Sequence, residues 1–280
     1  MPGRDLILKF FSILNSQLSI SASAIVLNYR SPRDTVRCIR SLKKQTVIRE
    51  MEILLVDNKS DDESIGFFRA QFDNDPQVRI IENRQNFGFA LGNNLAAINV
   101  KGEFLLIMNP DNILPPDALE KMVKVLKSRP DIGIVGPGLI YPDGTLRPSA
   151  RRFPSMMDLI NKRLFPAKWQ KNYVYEMNKF AKEEVVTVDW LVGACLMLRT
   201  RLFRDLGGFD ERYFLFFEDI DLCRRIKNLG LEVAYLPQIK VSDRKARLSG
   251  SNLLSLITKK TTRIHLTSAV KYFWKWRTGN

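Results

Sequence analysis

The chain has 280 residues, of which 45% are hydrophobic, so it can bury the core of one large domain or two small ones and is not a disordered tail protein. Its 44 Lys and Arg residues outnumber its 30 Asp and Glu residues, and the net charge of +14 predicts attraction to an anionic surface or ligand. The cysteines include no C-x-x-C pair and His265 is the only histidine, which argues against disulfide frameworks, cysteine zinc sites, histidine-based hydrolases and multi-histidine metal centres.

Residues 1–22 carry an apolar run that Asp5 and Lys9 interrupt and that no small-residue cleavage site follows. We predict an N-terminal extension there, neither a signal peptide nor a spanning helix. No stretch of the sequence reaches the roughly 18 uninterrupted apolar residues of a transmembrane helix. Because the cysteines also suit a reducing compartment, the sequence predicts a cytoplasmic protein.

Short aliphatic runs alternate with longer amphipathic segments over residues 23–137. Five runs have the length and residue types of buried strands: 24–27, 52–56, 78–81, 103–108 and 132–135. Four helices are predicted between them, near 33–44, 61–72, 89–100 and 116–128. This alternation predicts an α/β fold with a mostly parallel central sheet and helices on both faces.

Polar residues follow four of these strands, at the edge of the predicted sheet where open α/β folds bind ligands. They are Asn28, Asp57, Asn58, Asn83, Asn86, Asn109 and Asp111. Pro110 fixes the turn that aims Asp111, and one carboxylate together with diphosphate oxygens is a normal setting for Mg²⁺ or Mn²⁺. Asn and Asp are also ordinary turn and cap residues, but their recurrence at strand ends favours a site.

The usual phosphate-binding loops, GxxxxGK[ST] and GxGxxG, are absent from the sequence. Gly88 and Gly92 instead begin a predicted helix that includes Asn93. The amide groups of such a helix can approach a diphosphate closely, because glycine has no side chain. Simple helix capping is the alternative explanation.

Residues 138–185 break the alternation and are predicted to be a functional insertion that contains Arg147, Arg151 and Arg152.

A further helix is predicted to begin near residue 217, and Glu218, Asp219 and Asp221 crowd its first turn. Acidic residues stabilise a helix N-terminus by about 0.3–1 kcal/mol each, so a structural role is one explanation. Mutual repulsion also raises the pKa of at least one carboxylate, as a general base requires. We therefore predict a catalytic cluster.

Residues 250–280 form a basic, amphipathic C-terminal tail. Its cations are interleaved with aromatic residues: Lys259, Lys260, Arg263, Lys271, Tyr272, Phe273, Trp274, Lys275, Trp276 and Arg277. This mixture suits a helix at the surface of an anionic membrane. A helix packed on the core and an aromatic platform for nucleic acid bases are the alternatives.

Taken in order, these segments resemble the family-2 glycosyltransferases with a GT-A fold, and most closely their rhamnosyltransferase-like branch. The resemblance runs from about residue 23 to 249. Its carriers are VLNY at 26–29, LVDNKS at 55–60, NFGFALGNN at 86–94, NPD at 109–111, SARRFP at 149–154, GGFD at 207–210 and FEDIDL at 217–222. Each motif is modest, and their order makes the combination specific.

The resemblance implies an inverting, single-displacement transfer. Asp219 would deprotonate the acceptor hydroxyl, with Glu218 and Asp221 orienting the acceptor or the base. Asp111 would bind the Mn²⁺ or Mg²⁺ that bridges the donor diphosphate. The remaining predicted residues are placed at the donor site, with Asp57 on the nucleotide base and the arginines on a phosphate: Asn28, Asp57, Asn58, Asn86, Gly88, Asn93, Asn109, Arg151 and Arg152.

One position departs from the family pattern. Many relatives have a histidine at the metal site shortly after the strand that ends near Pro237, and here Asp243 aligns with it. A carboxylate is also a ligand for Mn²⁺ or Mg²⁺, so Asp243 is predicted as the second metal ligand.

These inferences predict a transferase that moves rhamnose from dTDP-rhamnose to a lipid-linked saccharide, peripherally bound to the inner face of the cell membrane. Residues 23–137 would bind the nucleotide sugar and 138–249 the acceptor. A sugar-phosphate nucleotidyltransferase is an alternative, but residues 28–32 do not form its glycine-rich basic loop. A nucleic-acid-binding protein would exploit the charge of +14, although no nucleic acid partner is expected. A catalytically inactive scaffold is a further alternative.

Overall fold

The computed structural model describes residues 22–46, 51–158, 175, 177–180, 182–243 and 260–277. Almost all of the predicted N-terminal extension and the first part of the basic tail lie outside these residues. The strands are β1 (Ala22–Asn28), β2 (Met51–Asp57), β3 (Val78–Glu82), β4 (Phe104–Met108), β5 (Asn112–Ile113), β6 (Ile132–Ile140), β7 (Leu146–Arg147), β8 (Ala150–Arg151), β9 (Val186–Val188), β10 (Trp190–Leu191), β11 (Cys195–Arg199) and β12 (Glu232–Asp243).

Seven α-helices and one short 3₁₀ helix, Met177–Phe180, accompany these strands in the described part of the chain. The α-helices are α1 (Pro32–Leu42), α2 (Ser64–Phe72), α3 (Gly88–Ala97), α4 (Ala118–Ser128), α5 (Thr200–Asp205), α6 (Glu218–Asn228) and α7 (Lys260–Lys275). The five strands and four helices predicted between residues 23 and 137 are therefore all present, with small shifts at their ends.

One large sheet has the strand order β3-β2-β1-β4-β11-β6-β12-β5, with β7 added to β6 and β9 to β12. The pairs among β3, β2, β1 and β4 are all parallel, as predicted. Strand β11 is antiparallel to both β4 and β6, and β12 is parallel to β6. The carboxyl ends of β1, β2, β4, β6 and β12 consequently lie along one edge of the sheet, where ligands bind in such folds.

A hydrophobic core lies on each face of the sheet. Helices α1, α2 and α4 cover one face, with Ile39, Phe68 and Met122 in its core. Helices α3, α5, α6 and α7 cover the other face. The alternating side chains of β1 serve both cores, which explains why all seven of its residues are buried. The predicted architecture, a sheet with helices on both faces, is confirmed.

Strand β12 extends beyond its predicted end near Pro237. Its pairing with β6 shifts register between Leu236 and Lys240, and this irregularity carries the strand past Pro237. The strand then continues to Asp243, which pairs with Asn112 of β5. The extension therefore brings Asp243 beside the turn that contains Asp111.

Helix α7 packs against the protein core. Ala269 and Tyr272 are buried, while Val270 and Trp274 are 65% and 66% exposed. Lys275 Nζ lies 2.7 Å from an Asp221 carboxylate oxygen, and Trp276 Nε1 donates a hydrogen bond to the same carboxylate at 3.0 Å. No helix in the described part of the chain is both long enough and apolar enough to cross a membrane.

Candidate active site

Asn28 and Asp57 meet at the carboxyl ends of β1 and β2. The Asn28 side-chain amide donates to Asp57 Oδ1 at 2.7 Å and to Ser60 Oγ at 3.0 Å, while Asn28 Oδ1 accepts from Thr35 Oγ1 at 2.9 Å. Asn28 is fully buried and Asp57 is 5% exposed. Asn28 therefore acts on the site through Asp57, whose carboxylate it orients.

Asn58 fixes the loop that leads into α3. Its amide nitrogen donates to Asn86 Oδ1 at 3.0 Å and to the Gly88 carbonyl at 2.9 Å. Its side-chain oxygen, Oδ1, accepts from Asn83 Nδ2 at 3.0 Å and from the Phe87 N–H at 3.1 Å. Both ends of the side chain thus make internal hydrogen bonds that hold the predicted donor-binding residues in one turn.

Gly88 is required by a neighbouring backbone. It has φ +75°, and a Cβ atom at this position would lie 2.1 Å from the carbonyl oxygen of Phe214. The next residue, Phe89, donates its N–H to the same carbonyl at 2.7 Å. Asn93 is buried and bonds back to the Phe89 carbonyl at 2.8 Å. The close approach that Gly88 permits is therefore to the segment preceding α6, whereas the sequence suggested an approach to a diphosphate.

The turn that carries Asp111 is tied to the loop before β11. The Asn109 N–H donates to the Ala194 carbonyl at 2.8 Å, and Asn112 Nδ2 donates to the same carbonyl at 3.2 Å. Asn109 and Asn112 are buried, and Asp111 between them is partly exposed. The two asparagines hold the backbone while the carboxylate of Asp111 reaches the edge of the sheet.

Asp219 reaches the same loop from the first turn of α6. Its Oδ2 accepts a hydrogen bond from the Gly193 N–H at 2.8 Å. A Cβ atom on residue 193 would lie 3.1 Å from the Asp219 Cβ and 3.3 Å from its Oδ2, so glycine leaves room for this approach. Because Val192-Gly193-Ala194 contacts both the Asp111 turn and Asp219, it joins the predicted metal and base positions.

Burial raises the pKa of the Asp219 carboxyl above its ordinary value. Hydrogen bonds from backbone N–H groups and the charge of Arg151 oppose that rise. A carboxylate with a raised pKa is a stronger base than an exposed aspartate, so the environment suits the abstraction of a proton from a hydroxyl.

The two predicted phosphate-binding arginines have different surroundings. Arg151 Nε donates to the Pro148 carbonyl at 3.0 Å, and the guanidinium stacks over Trp190 with 5.3 Å to the ring centroid. Arg152 is exposed and its guanidinium lies 5.3 Å from the Tyr175 ring centroid. Of the two, Arg151 is the one whose charge acts on Asp219.

Asp243 forms an ion pair with Arg147. The contact joins Asp243 Oδ2 to Arg147 Nη1, and the exposed fractions of the two side chains are 0% and 17%. Charges of Asp111, Asp219 and Arg151 also act on Arg147. The structure therefore brings the two predicted metal ligands to neighbouring positions, and it pairs one of them, Asp243, with a cation.

Asp111 is the residue of this site that could hold a divalent cation. Within the described residues, no group of three or more His, Cys, Asp and Glu side chains is arranged to hold a metal. Asp111 is accessible at the sheet edge, while Asp243 already has Arg147 as a partner. One carboxylate with diphosphate oxygens and water is sufficient for Mg²⁺ or Mn²⁺, which take few protein ligands at phosphate sites.

Glu218 and Asp221, the other members of the acidic cluster, are buried with 5% and 0% exposure. Asp221 accepts from Arg225 Nε at 2.8 Å and from Trp276 Nε1 at 3.0 Å, and Lys275 lies within 2.7 Å. Residues two apart on a helix do not face each other, so Asp221 points away from Asp219. The structure thus directs Asp221 to helix α7, not to the Asp219 site.

The backbone before α6 is strained. Phe216 and Phe217 both have left-handed conformations, with φ 69° and 72°. Such conformations cost roughly 1–2 kcal/mol per residue and persist where the surroundings hold them, often at functional sites. Here Phe217 packs against His265 and Tyr272 of α7, with ring centroids 5.3 Å apart in both pairs.

Two residues of this site were not predicted from the sequence. The sequence indicates Arg147 only as part of a basic insertion, because its pairing with Asp243 depends on the sheet. Gly193 had one weak signal, a glycine between two apolar runs, which often marks a close backbone approach.

The family model "Glycosyl transferase family 2" matches residues 23–207. An N-acetylglucosaminyl-diphospho-decaprenol L-rhamnosyltransferase of Mycobacterium tuberculosis is 28% identical over 267 residues, which cover 90% of this chain and 85% of that protein. A rhamnosyltransferase of Escherichia coli is 29% identical over 174 residues, which cover 54% of this chain and 58% of that protein. These relatives confirm the resemblance to the rhamnosyltransferase-like branch.

Solved structures share the fold. Residues 1–349 of TarS from S. aureus, in complex with UDP, align with a TM-score of 0.60 and 16% identity, over 90% of this chain and 65% of that one. A mannosyltransferase from Pyrobaculum calidifontis, in complex with GDP-Man and Mn²⁺, aligns with a TM-score of 0.59 and 19% identity, over 81% of this chain and 57% of that one. The chain thus spans about two thirds or less of these proteins.

Proposed function

This chain belongs to glycosyl transferase family 2, and from that premise we propose that it transfers rhamnose from dTDP-rhamnose to a lipid-linked saccharide with inversion at the anomeric carbon. The sugar is proposed because two relatives, which match 90% and 54% of this chain, are named rhamnosyltransferases. The acceptor follows from the M. tuberculosis relative, whose name specifies a diphospho-decaprenol carrier. The family match also weakens the nucleotidyltransferase and nucleic-acid-binding alternatives.

The environment of Asp219 is the observation that carries this proposal. Its carboxylate is held by the Gly193 N–H at 2.8 Å, and burial raises its pKa. In the proposed reaction Asp219 removes the proton of the acceptor hydroxyl as that oxygen bonds to the anomeric carbon. The bond from this carbon to the diphosphate breaks, and its electron pair leaves with the nucleoside diphosphate. One displacement at the anomeric carbon inverts its configuration.

Residues 23–137 would bind the donor. We assign Asp57 to the nucleotide base, with Asn28 orienting its carboxylate and Asn58, Asn86, Gly88, Asn93 and Asn109 shaping the surrounding turns. Asp111 would hold Mn²⁺ or Mg²⁺, and a divalent cation bound there would neutralise charge on the departing diphosphate. Arg151 would contact a donor phosphate, because a guanidinium binds phosphate oxygens through paired N–H groups.

A lipid-linked acceptor places the enzyme at a membrane, and we propose that the outer side of α7 contacts the anionic inner face. The exposed residues of α7 and its end lie along one stripe: Lys260, Arg263, Thr267, Val270, Lys271, Trp274 and Arg277. Arg277 stacks over Trp274 with 3.7 Å to the ring centroid. Cations beside exposed apolar and aromatic side chains suit anionic lipid headgroups.

The donor and acceptor are tested by transfer assays with purified protein. We expect transfer of rhamnose from dTDP-rhamnose to a polyprenyl-diphosphate-linked N-acetylglucosamine, with inverted anomeric configuration by NMR of the product. UDP-N-acetylglucosamine and GDP-mannose serve as competing donors. Transfer from one of these and not from dTDP-rhamnose would contradict the proposed sugar, and retention of configuration would contradict the single displacement.

Membrane contact is tested by flotation with vesicles that contain phosphatidylglycerol. The doubly substituted Val270→Ser, Trp274→Ser protein should float less than the wild type. Ile98→Ser is the control, because Ile98 is a 69% exposed apolar residue that follows helix α3 and lies outside the stripe. Equal flotation of all three proteins would remove α7 from this role. Point substitutions are preferable to truncation, because the buried side of α7 is part of the core.

A further inference from the structure

The ion pair between Arg147 and Asp243 is built from two strands at the edge of the large sheet. Asp243 ends β12 and has no exposed side-chain surface, while the Arg147 side chain is 17% exposed. Burying a carboxylate requires a partner, and Arg147 supplies it. Of the two side chains, only that of Arg147 keeps any solvent-accessible surface.

The strand registers place Arg147 and Asp243 beside the turn of Asp111. Arg147 pairs with Leu139 of β6, and Leu139 pairs with Val241 of β12. Two residues further along β12, Asp243 pairs with Asn112, the neighbour of Asp111. Strand β7 therefore delivers the arginine, and β12 the carboxylate that holds it, beside the turn of Asp111.

Two carboxylates near Arg147 would repel a bound diphosphate. Asp111 and Asp219 both act on Arg147 electrostatically, and each carboxylate repels a phosphate group. Arg151 is a further cation in the same neighbourhood. A diphosphate entering beside Asp111 would meet less repulsion because Arg147 is there.

We propose that Arg147 binds the donor diphosphate and that Asp243 is a positioning residue that holds the guanidinium for this contact, in place of serving as a metal ligand. This inference rests on the proposed function, since it requires a nucleoside diphosphate at the site. The ion pair uses Nη1, and a guanidinium has several further N–H donors whose planar arrangement matches phosphate oxygens. An arginine fixed in one orientation also loses less conformational entropy when it binds.

The inference is tested by titration calorimetry with dTDP and UDP, each in EDTA and in Mn²⁺. We expect Arg147→Gln to weaken the binding of the nucleotide in EDTA by about 10- to 100-fold, the usual range for a hydrogen bond to a charged group. Asp243→Asn should also weaken the binding of the nucleotide in EDTA, but by a smaller factor. The doubly substituted protein should bind no more weakly than Arg147→Gln alone, because Asp243 acts through Arg147.

The effect of Mn²⁺ separates a positioning role from metal ligation. If Asp243 positions Arg147, Mn²⁺ should strengthen nucleotide binding by the same factor in Asp243→Asn as in the wild type. If Asp243→Asn binds the nucleotide as the wild type does in EDTA but Mn²⁺ no longer strengthens its binding, the inference is overturned and Asp243 is a metal ligand. Binding by folded Arg147→Gln that equals the wild type in EDTA would also overturn it.

Two further proteins complete the experiment. Arg201→Gln is the control, because Arg201 forms an ion pair with Asp205 on helix α5 and its side chain is 92% exposed. It should bind as the wild type does. If the melting curve shows that Arg147→Gln is unfolded, Arg147→Lys keeps the charge and loses the planar donors, and weaker binding is still expected. Failure of the wild type to bind either nucleotide would instead contradict the proposed function itself.

Discussion

Helix α6 presents two aspartates to two different regions of the molecule. Asp219 faces the loop at Gly193, accepts backbone N–H groups and has a pKa raised by burial. Asp221 faces α7 and is surrounded by Arg225, Lys275 and Trp276. In the first region the carboxylate accepts backbone N–H groups and has no ion pair among the described residues, although the charge of Arg151 acts on it, and in the second it forms ion pairs with Arg225 and Lys275. The comparison teaches that crowding in the sequence does not by itself define a site, because two residues of the same helix turn can face different surroundings.

The largest effect is expected from Asp219→Asn. The amide cannot accept the proton of the acceptor hydroxyl, so kcat should fall by about 10²- to 10⁴-fold. Affinity for dTDP should be unchanged, because the substitution keeps the shape of the side chain. Steady-state kinetics with calorimetry on the same preparation makes both measurements. A turnover close to that of the wild type would show that Asp219 is not the base.

Asp221→Asn tests the other region through stability. Removing this charge leaves Arg225 and Lys275 without their shared carboxylate, and breaking a buried ion pair costs about 3–5 kcal/mol of the free energy of unfolding. The lower end is expected, because Lys275 keeps Asp210 and Arg225 keeps two backbone carbonyls. Denaturant unfolding measures the loss.

The folded Asp221→Asn protein should retain most of its turnover. A severe loss of kcat with unchanged stability would assign Asp221 to the reaction, and the contrast between the two regions would fail.

Gly193→Ala tests whether the close contact between residue 193 and Asp219 positions the carboxylate. The added methyl group would lie 3.1 Å from the Asp219 Cβ, so the carboxylate must shift by a few tenths of an ångström. A displaced base lowers kcat, here by about tenfold. Gly66→Ala is the control, because nothing lies within 4 Å of its new methyl group. Equal kinetics for the two variants would indicate that the contact at Gly193 does not position the base.

The smallest effect is a shift in the pH dependence of transfer. Asp219 must be ionised to act as a base, so kcat/KM should rise with pH through its apparent pKa. Because burial raises that pKa, the acidic limb should lie above the value of about 3.9 that is usual for aspartate. The folded Asp221→Asn protein should show the same limb. A limb that moves in this variant would mean that the charge of Asp221 acts on Asp219, and the two regions would not be separate.

The elements around the donor half were predictable because each is encoded locally. Strands such as Met51–Asp57 are continuous aliphatic runs, and helices such as Ala118–Ser128 repeat their apolar residues on one side. The edge on which the polar strand ends meet also follows from parallel pairing. The local pattern failed at Pro237, where an irregular register carries β12 on to Asp243.

The site was less predictable because its pairings are distant in sequence. Asp221 meets Trp276 from 55 positions away along the chain, and a sequence that shows three acidic residues together gives no sign of this. The spacing of Asp221 and Arg225 was the available clue, since charges four apart on a helix pair with each other. Arg147 and Asp243 lie still further apart and meet only through β6.

The left-handed pair Phe216 and Phe217 has a consequence for the order in which the protein matures. Their conformation is held by ring contacts with α7, which is translated well after them. A nascent chain that has exposed α6 but still has α7 inside the ribosome lacks those contacts, and Asp221 lacks Lys275 and Trp276. The left-handed turn before Asp219 therefore reaches its final geometry only after α7 has packed against it.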